Sequence, residues 1–218
     1  MGRNAVRLLI FDWDGTLIDS IDHIVASLQG AAIECQLPPP AAAACRSVIG
    51  LSLPVALNEL FGINAGSEQQ PLFDAYCRHY LHSSSVAERP FAGLTALLAD
   101  LRRAGYQLAV ATGKSRLGLD RSLQAFGLAE YFSASRCADE TRSKPDPLML
   151  TELMAELAVI PEQTLMIGDS RHDIAMAVAA GVGAIGIDQG VDDARTLLAH
   201  GAQQVGADLA ALRALLLA

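Results

Sequence analysis

The sequence predicts an α/β fold, a doubly wound parallel sheet with an inserted helical domain, and three observations predict it. Short apolar runs end in acidic or glycine-containing turns, a pattern typical of buried parallel strands that lead into loops. Helical patterns alternate with these runs along the chain, as they do in wound sheets. One long stretch contains helical patterns only, and this break in the alternation indicates an insertion after the first strand.

Four apolar runs are the predicted strands of the sheet. They cover Val6 to Phe11, Tyr106 to Ala111, Thr164 to Ile167 and Val182 to Ile187. Asp12, Thr112 and Asp169 closely follow the first three of them. Because ligands bind at the carboxyl ends of the strands in a doubly wound sheet, these three side chains are expected to lie together.

Helices are predicted between the strands and after them. Those between the strands cover Gly93 to Ala104, Arg116 to Phe126, Pro147 to Leu157 and Arg171 to Ala180. Gly105, Gly127 and Gly181 follow three of these helices, and glycine is a common residue at this position. The tail from Val191 to Ala218 is interpreted as a helix, a short strand near Gln203 to Val205, and a closing helix.

The stretch from Ile18 to Ala87 is predicted to be a helical cap domain. Its predicted helices cover Ile21 to Gln36, Ala41 to Val48, Leu53 to Phe61 and Gln69 to His82. Hinges are expected near Ile18 to Ser20 and Ser85 to Pro90, where the chain leaves and rejoins the sheet. The predicted domains are therefore a core of residues 1–17 and 88–218 and a cap of residues 18–87.

The composition excludes several classes of partner. Of the 218 residues, 51% are hydrophobic, and 16 basic against 24 acidic residues give a net charge of −8. Nucleic acids and anionic membrane surfaces require a basic footprint, so neither is expected as a partner. The longest apolar run, Ile174 to Ile187, is shorter than the roughly 20 residues of a bilayer span. We expect a cytoplasmic protein, either a monomer or a homodimer.

The segment Asp12-Trp13-Asp14-Gly15-Thr16 places two carboxylates just beyond the first strand. On an extended segment, residues i and i+2 point the same way, so both carboxyls can face one site. One carboxylate can then attack a substrate while the other transfers a proton. The alternative is that the acids and Thr16 only cap the following helix.

Three further segments carry groups suited to an anionic ligand or a cation. Thr112-Gly113-Lys114-Ser115 offers a hydroxyl and backbone N–H groups at a helix start, which favours phosphate. Lys144 lies beside prolines, although a solvated loop lysine is the alternative. Asp169 and Asp173 are one helical turn apart, and together with Asp12 they predict an oxygen-rich site suited to Mg²⁺.

In their order along the chain these motifs resemble those of the haloacid dehalogenase (HAD) superfamily, in its phosphoglycolate phosphatase-like branch. The motifs are Asp12-x-Asp14-Gly15-Thr16, Thr112, Lys144-Pro145 and Gly168-Asp169-x-x-x-Asp173. The resemblance covers nearly the whole chain. It implies a Rossmann-like core with a helical cap of the C1 type, and a phosphatase acting on a small phosphorylated metabolite.

The resemblance also implies a role for each motif residue. Asp12 would be the nucleophile that forms an aspartyl-phosphate, and Asp14 the acid and base. Thr112 and Lys144 would hold the phosphoryl oxygens. The other residues implied to bind substrate are Gly15, Thr16 and Gly113, and the implied Mg²⁺ ligands are Asp12, the backbone carbonyl of Asp14, Asp169 and, in support, Asp173.

Other classes of protein share parts of this pattern. A sugar-phosphate mutase of the same superfamily shares every core residue, whereas 2-haloacid dehalogenases typically lack the acid at Asp14. The stretch Gly181 to Gly186 matches the dinucleotide pattern G-x-G-x-x-G, but it follows a helix and enters a strand. Gly113-Lys114-Ser115 resembles a P-loop ending, but Leu108 replaces the required glycine. A nucleotide-binding module is therefore disfavoured.

The cap is expected to select the substrate, and it contains few cations. Arg46 is the first candidate to bind a second anionic group, such as the carboxylate of phosphoglycolate, and Arg116 of the core is the second. A solvated helix arginine is the alternative for Arg46. The sequence assigns no role to Arg78, His79 and His82.

Overall fold

The structure, a computed structural model, describes residues 6–82 and 87–217 of the chain. The strands of this described part are β1 (Leu8–Phe11), β2 (Ile18–Asp19), β3 (Arg89–Pro90), β4 (Gln107–Thr112), β5 (Ala134–Cys137), β6 (Thr164–Gly168), β7 (Gly183–Ile187) and β8 (Gln204–Gly206). Six of them form one parallel sheet in the order β5-β4-β1-β6-β7-β8. The predicted doubly wound sheet is confirmed.

The strand order determines where a site can form. β1 pairs with β4 on one side and with β6 on the other, so the winding reverses direction at β1. Ligands of doubly wound sheets bind outside the carboxyl ends of the strands at such a reversal. The three strands that the sequence predicts to end at functional residues are therefore neighbours in space.

The helices agree closely with the predicted ones. In the described part they are α1 (Ile21–Glu34), α2 (Ala42–Ser47), α3 (Leu53–Phe61), α4 (Gln70–His82), α5 (Leu94–Arg103), α6 (Arg116–Phe126), α7 (Leu148–Glu156), α8 (Arg171–Ala179), α9 (Ala194–Ala199) and α10 (Leu209–Leu217). The predicted helix, strand and helix of the tail correspond to α9, β8 and α10. Within the described residues, no helix has the length and apolar character needed to cross a bilayer.

Apolar side chains of β1 alternate between the two faces of the sheet, as strand geometry requires. Leu9 and Phe11 pack into one buried cluster with residues of α5 and α10. Leu8 and Ile10 pack into a second cluster with residues of α7 and α8. Helices therefore cover both faces, and β1 is buried throughout.

The helical insertion has an apolar cluster of its own, to which α1, α2, α3 and α4 contribute. A short antiparallel ribbon of β2 and β3 pairs the two connections to the sheet, with Asp19 opposite Arg89. The first predicted hinge coincides with β2, whereas Ser85 and Val86 of the second lie outside the described residues. The predicted domain boundaries stay a prediction.

Candidate active site

Three buried carboxylates lie together at the carboxyl end of the sheet. Asp12 follows β1, Asp169 follows β6, and Asp173 lies in the first turn of α8. One carboxylate oxygen from each lies within 4.8 Å of the others. β1 and β6 are hydrogen-bonded neighbours, and the Asp12 N–H donates to the Ile167 carbonyl at 2.9 Å, which fixes the end of β1 beside β6.

Lys144 inserts its ammonium group into this cluster from the loop before α7. Its Nζ lies 2.6 Å from Asp12 Oδ1 and 2.6 Å from Asp173 Oδ1. Its side chain is fully buried, so the solvated loop lysine is ruled out. Burial alone lowers the pKa of Lys144, but the charges of Asp12 and Asp173 raise it above its ordinary value, and the lysine stays protonated.

Both oxygens of Asp173 are engaged by the protein. Oδ1 accepts from Lys144, and Oδ2 accepts from the backbone N–H of Ser170 at 3.1 Å and from its hydroxyl at 2.6 Å. Ser170 and Asp173 form the capping box at the start of α8. Asp173 therefore joins the helix start to the lysine, and this arrangement suits the supporting role predicted for it.

Asp169 is held by groups from two other segments. Thr16 Oγ1 donates to Asp169 Oδ1 at 2.6 Å, and the Val191 N–H donates to Oδ2 at 2.8 Å. Gly15 has a φ of 83°, and a Cβ there would lie 2.3 Å from Asp169 Oδ2. The Gly15-Thr16 pair therefore packs directly on this carboxylate. Direct contact of either residue with substrate stays a prediction.

The acidic cluster fits a metal cation. Asp12 Oδ2 is buried and has no hydrogen-bond partner among the described residues. Burial raises the pKa of Asp12 well above its usual value, and Asp173 raises it further, although Lys144 lowers it in part. Burial, followed by the charge of Asp173, raises the pKa of Asp169 to about 7. Lys144 supplies one positive charge against three carboxylates, and a hard divalent cation would supply the rest.

Asp14 lies apart from this cluster, on the side of the cap. Its Oδ1 accepts from Ser20 Oγ at 2.6 Å and faces Lys114 Nζ at 3.0 Å. Trp13, between the two aspartates in sequence, is buried in the core and donates from Nε1 to Ser122 Oγ at 2.9 Å. The role of Asp14 as the group that transfers a proton stays a prediction.

Lys114 is a site residue that the sequence analysis did not assign. Its Nζ contacts Asp14, the Tyr80 hydroxyl of α4 and, at 3.3 Å, Glu88 of the second connection. Burial alone lowers the pKa of Lys114, but Asp14 and Glu88 raise it above its ordinary value. The only sequence signal was its place two residues after Thr112. Lys114 therefore links the sheet, the cap and the second acid of the first motif.

Thr112 and Gly113 lie at the end of β4, beneath a loop of the cap. Thr112 is buried, and its Oγ1 accepts from the Lys114 N–H at 3.2 Å. A Cβ at Gly113 would lie 2.5 Å from the Leu51 carbonyl oxygen and 2.6 Å from that of Gly50. Glycine is thus needed where the cap loop approaches the sheet. Binding of phosphoryl oxygens by Thr112 and Gly113 stays a prediction.

The structure does not bring the predicted arginines to this site. Arg46 forms an exposed ion pair with Asp22, and Arg116 pairs with Glu140. Neither arginine lines the cavity described below. Substrate binding by Arg46 stays a prediction that these contacts do not support. The other cap residues in question lie on the surface: Arg78 and His79 both contact Glu34, and His82 is exposed.

A cavity of about 810 Å³ opens between α4 of the cap and α6 of the core. Asp14 and Lys114 line it, together with a mainly apolar set of side chains. The aromatic members are Phe73, Tyr76, Tyr80 and Phe126. The cavity therefore lies next to Asp14, the acid predicted to protonate the departing alcohol.

The geometry and the motifs agree with one family model, described as haloacid dehalogenase-like hydrolase, which matches residues 9–187. The chain belongs to the haloacid dehalogenase-like hydrolase family. The superfamily predicted from the motifs is thereby confirmed. Asp12, Asp169, Asp173 and Lys144, which meet in the structure, are all residues of the motifs that carried the resemblance.

Curated relatives of this hydrolase include two phosphatases. An N-acetylmuramic acid 6-phosphate phosphatase of Pseudomonas aeruginosa is 32% identical over 83% of this chain and 81% of its own length. A phosphoglycolate phosphatase of Mesorhizobium japonicum is 30% identical over 85% of this chain and 84% of its own length. These relatives support the predicted enzyme class, a phosphoric monoester hydrolase.

Two further matches concern the length of the chain and its fold. Tyrosine-protein kinase PtkA of Mycobacterium tuberculosis is 34% identical over 84% of the hydrolase, which spans only 62% of the kinase. The crystal structure of a hydrolase from Pseudomonas syringae superposes with a TM-score of 0.86 at 25% identity, covering 96% of this chain and 97% of that one. The sheet and the cap helices thus form a fold already seen in a solved hydrolase.

Proposed function

We propose that this hydrolase removes the phosphoryl group from small phosphomonoesters with the help of Mg²⁺, through an aspartyl-phosphate on Asp12. One observation carries the proposal. Asp12 is buried, with Oδ1 bonded to Lys144 and Oδ2 without a partner among the described residues. An oxygen in this state is available to bind a cation or to attack phosphorus, and a purely structural carboxylate would have both oxygens satisfied.

The residues divide the chemistry between two sides of the site. Asp12, Asp169 and the Asp14 carbonyl would hold Mg²⁺, with Asp173 in support through Lys144. When bound, the ion supplies positive charge that offsets the repulsion between the phosphoryl oxygens and the carboxylates. Lys144 adds a second positive charge beside Asp12, where the phosphoryl group is bound.

The reaction has two displacement steps. An Asp12 oxygen forms a bond to phosphorus while the bond from phosphorus to the alcohol oxygen breaks, and protonated Asp14 gives its proton to that oxygen. Asp14 then removes a proton from water, whose oxygen attacks phosphorus. The bond from Asp12 to phosphorus breaks, inorganic phosphate leaves, and Asp12 is regenerated. Thr112 and Lys144 hold the phosphoryl oxygens in both steps.

The position of Asp14 favours phosphoryl transfer over dehalogenation. Asp14 lines the cavity, as expected of a group that serves a leaving alcohol. A dehalogenase has no use for such an acid. The sugar-phosphate mutase alternative shares these residues and differs in the acceptor of the phosphoryl group. The cytoplasmic location and the choice between monomer and homodimer stay predictions.

The experiment is release of inorganic phosphate from p-nitrophenyl phosphate, with Mg²⁺ and with EDTA. We expect activity only with Mg²⁺, and a loss of roughly 10³-fold or more in Asp12→Asn, because the nucleophile is removed. Asp120→Asn is the matched control, since Asp120 is exposed on α6 and pairs with Arg116. Activity retained in Asp12→Asn, or metal-independent chloride release from a 2-chloro acid, contradicts the proposal.

A further inference from the structure

The cavity beside Asp14 has the size of a site for a large leaving group. Its volume is about 810 Å³, within the range of roughly 300–1,000 Å³ of pockets that enclose drug-sized ligands. A two-carbon alcohol such as glycolate would leave most of this space unfilled. The apolar side chains that line the space include Leu53, Pro54, Phe73, Tyr76, Leu117 and Phe126.

Several polar groups of the lining are already hydrogen-bonded within the protein. Lys114 is held by the contacts described above, and Ser122 Oγ accepts from Trp13 Nε1. His23 Nε2 donates to the Tyr80 carbonyl at 2.8 Å. The charged residues Glu88, Arg121 and Asp139 also line the cavity. Apolar groups nevertheless form most of its wall, so an apolar ligand would bury surface against aromatic rings.

Gly118 keeps part of this cavity open. It is the third residue of α6 and lines the cavity. Its φ is not positive, so the backbone does not require glycine there. The nearest atoms to a Cβ there would be Ser115 Oγ at 3.3 Å and atoms of the Lys114 side chain at 3.8 Å or more. Glycine is among the poorest helix formers, and at this position its effect is to leave room that a larger side chain would occupy.

We propose that this site takes phosphomonoesters of bulky alcohols with a large apolar face, and that Gly118 is the specificity-determining residue that admits them. The inference rests on the proposed phosphatase function and names its substrate class. The phosphoryl group lies at Asp12, the ester oxygen at Asp14, and the apolar part of the alcohol between α4 and α6.

The test compares ethyl phosphate with 2-phenylethyl phosphate. Both are primary alkyl esters, so their phosphoryl chemistry matches and they differ by one phenyl group. We expect kcat/KM to be higher for 2-phenylethyl phosphate by about tenfold or more, because the ring is buried in the cavity. Equal values for the two esters, or a preference for ethyl phosphate, would overturn the inference.

Two variants of Gly118 locate the effect. Gly118→Leu should abolish the preference, because kcat/KM should fall by about tenfold or more further for the phenyl ester than for ethyl phosphate. Gly118→Ala is the matched control and should keep the preference. If Gly118→Leu does not fold, Ala125→Leu fills the same cavity from two turns further along α6. If a leucine variant folds and still prefers 2-phenylethyl phosphate to the same extent as the wild type, the inference is contradicted.

The two proposals fail in distinguishable ways. If the wild type shows no Mg²⁺-dependent hydrolysis of p-nitrophenyl phosphate, the proposed function itself is rejected. Intact activity that depends on Asp12, combined with no preference for the phenyl ester, rejects only the substrate class. Activity that falls equally for both esters in Gly118→Leu shows that position 118 acts on the fold rather than on selection, and also overturns the inference.

Discussion

Gly15 and Gly62 share a backbone conformation but differ in their surroundings. Their φ angles are 83° and 68°, both left-handed. A Cβ at Gly15 would overlap the Asp169 carboxylate at 2.3 Å, whereas a Cβ at Gly62 would have nothing within 4 Å. Substituting alanine at each position therefore distinguishes the effect of backbone strain, present at both, from the effect of crowding Asp169, present only at Gly15.

We expect Gly15→Ala to displace Asp169 and to lower Mg²⁺-dependent kcat/KM by about tenfold or more, because the metal ligands lose their geometry. Gly62→Ala should cost only the strain of a left-handed alanine, about 1–2 kcal/mol, and should retain activity. Phosphatase kinetics and urea unfolding of both variants measure the two effects. Equal loss of activity in the two variants would show that strain, not crowding, is responsible.

The residues that the sequence predicts well belong to short motifs at strand ends. Asp12, Asp169 and Asp173 come together because the order of parallel strands determines which ends are neighbours. Lys114 and Arg46 could not be assigned in this way. Their partners depend on how the cap helices pack, which is a non-local property that no spacing in the sequence encodes.

The start of α8 serves both the helix and the acidic cluster. Ser170 caps the helix and donates to Asp173, which in turn accepts from Lys144. We expect Ser170→Ala to lower the free energy of unfolding by about 1 kcal/mol through loss of the cap. It should also lower kcat/KM, because Asp173 loses the hydroxyl that orients it toward Lys144.

Asp193→Ala is the control for this variant. Asp193 caps α9 by accepting from the Thr196 N–H and is exposed. Its loss should cost a similar free energy of unfolding without any change in kcat/KM. Thermal unfolding together with phosphatase assays of both variants makes the comparison. A Ser170→Ala enzyme as active as Asp193→Ala would show that the cap does not orient Asp173.

Three strands, β2, β3 and β5, were not predicted because they lack the apolar runs and the periodicity that mark the other strands. β5, with the sequence Ala-Ser-Arg-Cys, is an edge strand, and three of its four residues are only partly buried, so no apolar run marks it. β2 and β3 are two residues each, too short for any periodicity. Buried strands such as β1 and helices that end at glycine were predictable, because burial and capping impose a pattern on the sequence itself.

The acidic cluster should make the stability of the folded protein depend on pH. Asp169 has a folded pKa of about 7, above its ordinary value of 3.8. At pH values between 3.8 and about 7, Asp169 is protonated in the folded state and ionised in the unfolded state. Stability of the metal-free protein is therefore lost as the pH rises through this window, by at most about 1.4 kcal/mol per pH unit for such a group.

Urea unfolding in EDTA between pH 5 and pH 7 tests this expectation. Carboxyls with lowered pKa values, such as Asp100 and Glu140, have the opposite effect, but they titrate below this range. Asp169→Asn should weaken the dependence without abolishing it, because burial raises the pKa of Asp12 as well, and Mg²⁺ should stabilise the wild type more at pH 7 than at pH 5. Stability that rises with pH in EDTA would contradict the assignment.

The alternation of side chains along β1 limits how this protein can evolve. Leu8 and Ile10 face one apolar cluster, and Leu9 and Phe11 face the other. Trp13, two residues after Phe11, packs into the same cluster as Leu9 and Phe11. Inserting or deleting one residue in β1 would move each later side chain to the opposite face. The indole would then enter the acidic cluster and the nucleophile the apolar core. Apolar substitutions in β1 are therefore open to selection, whereas a change in its length is not.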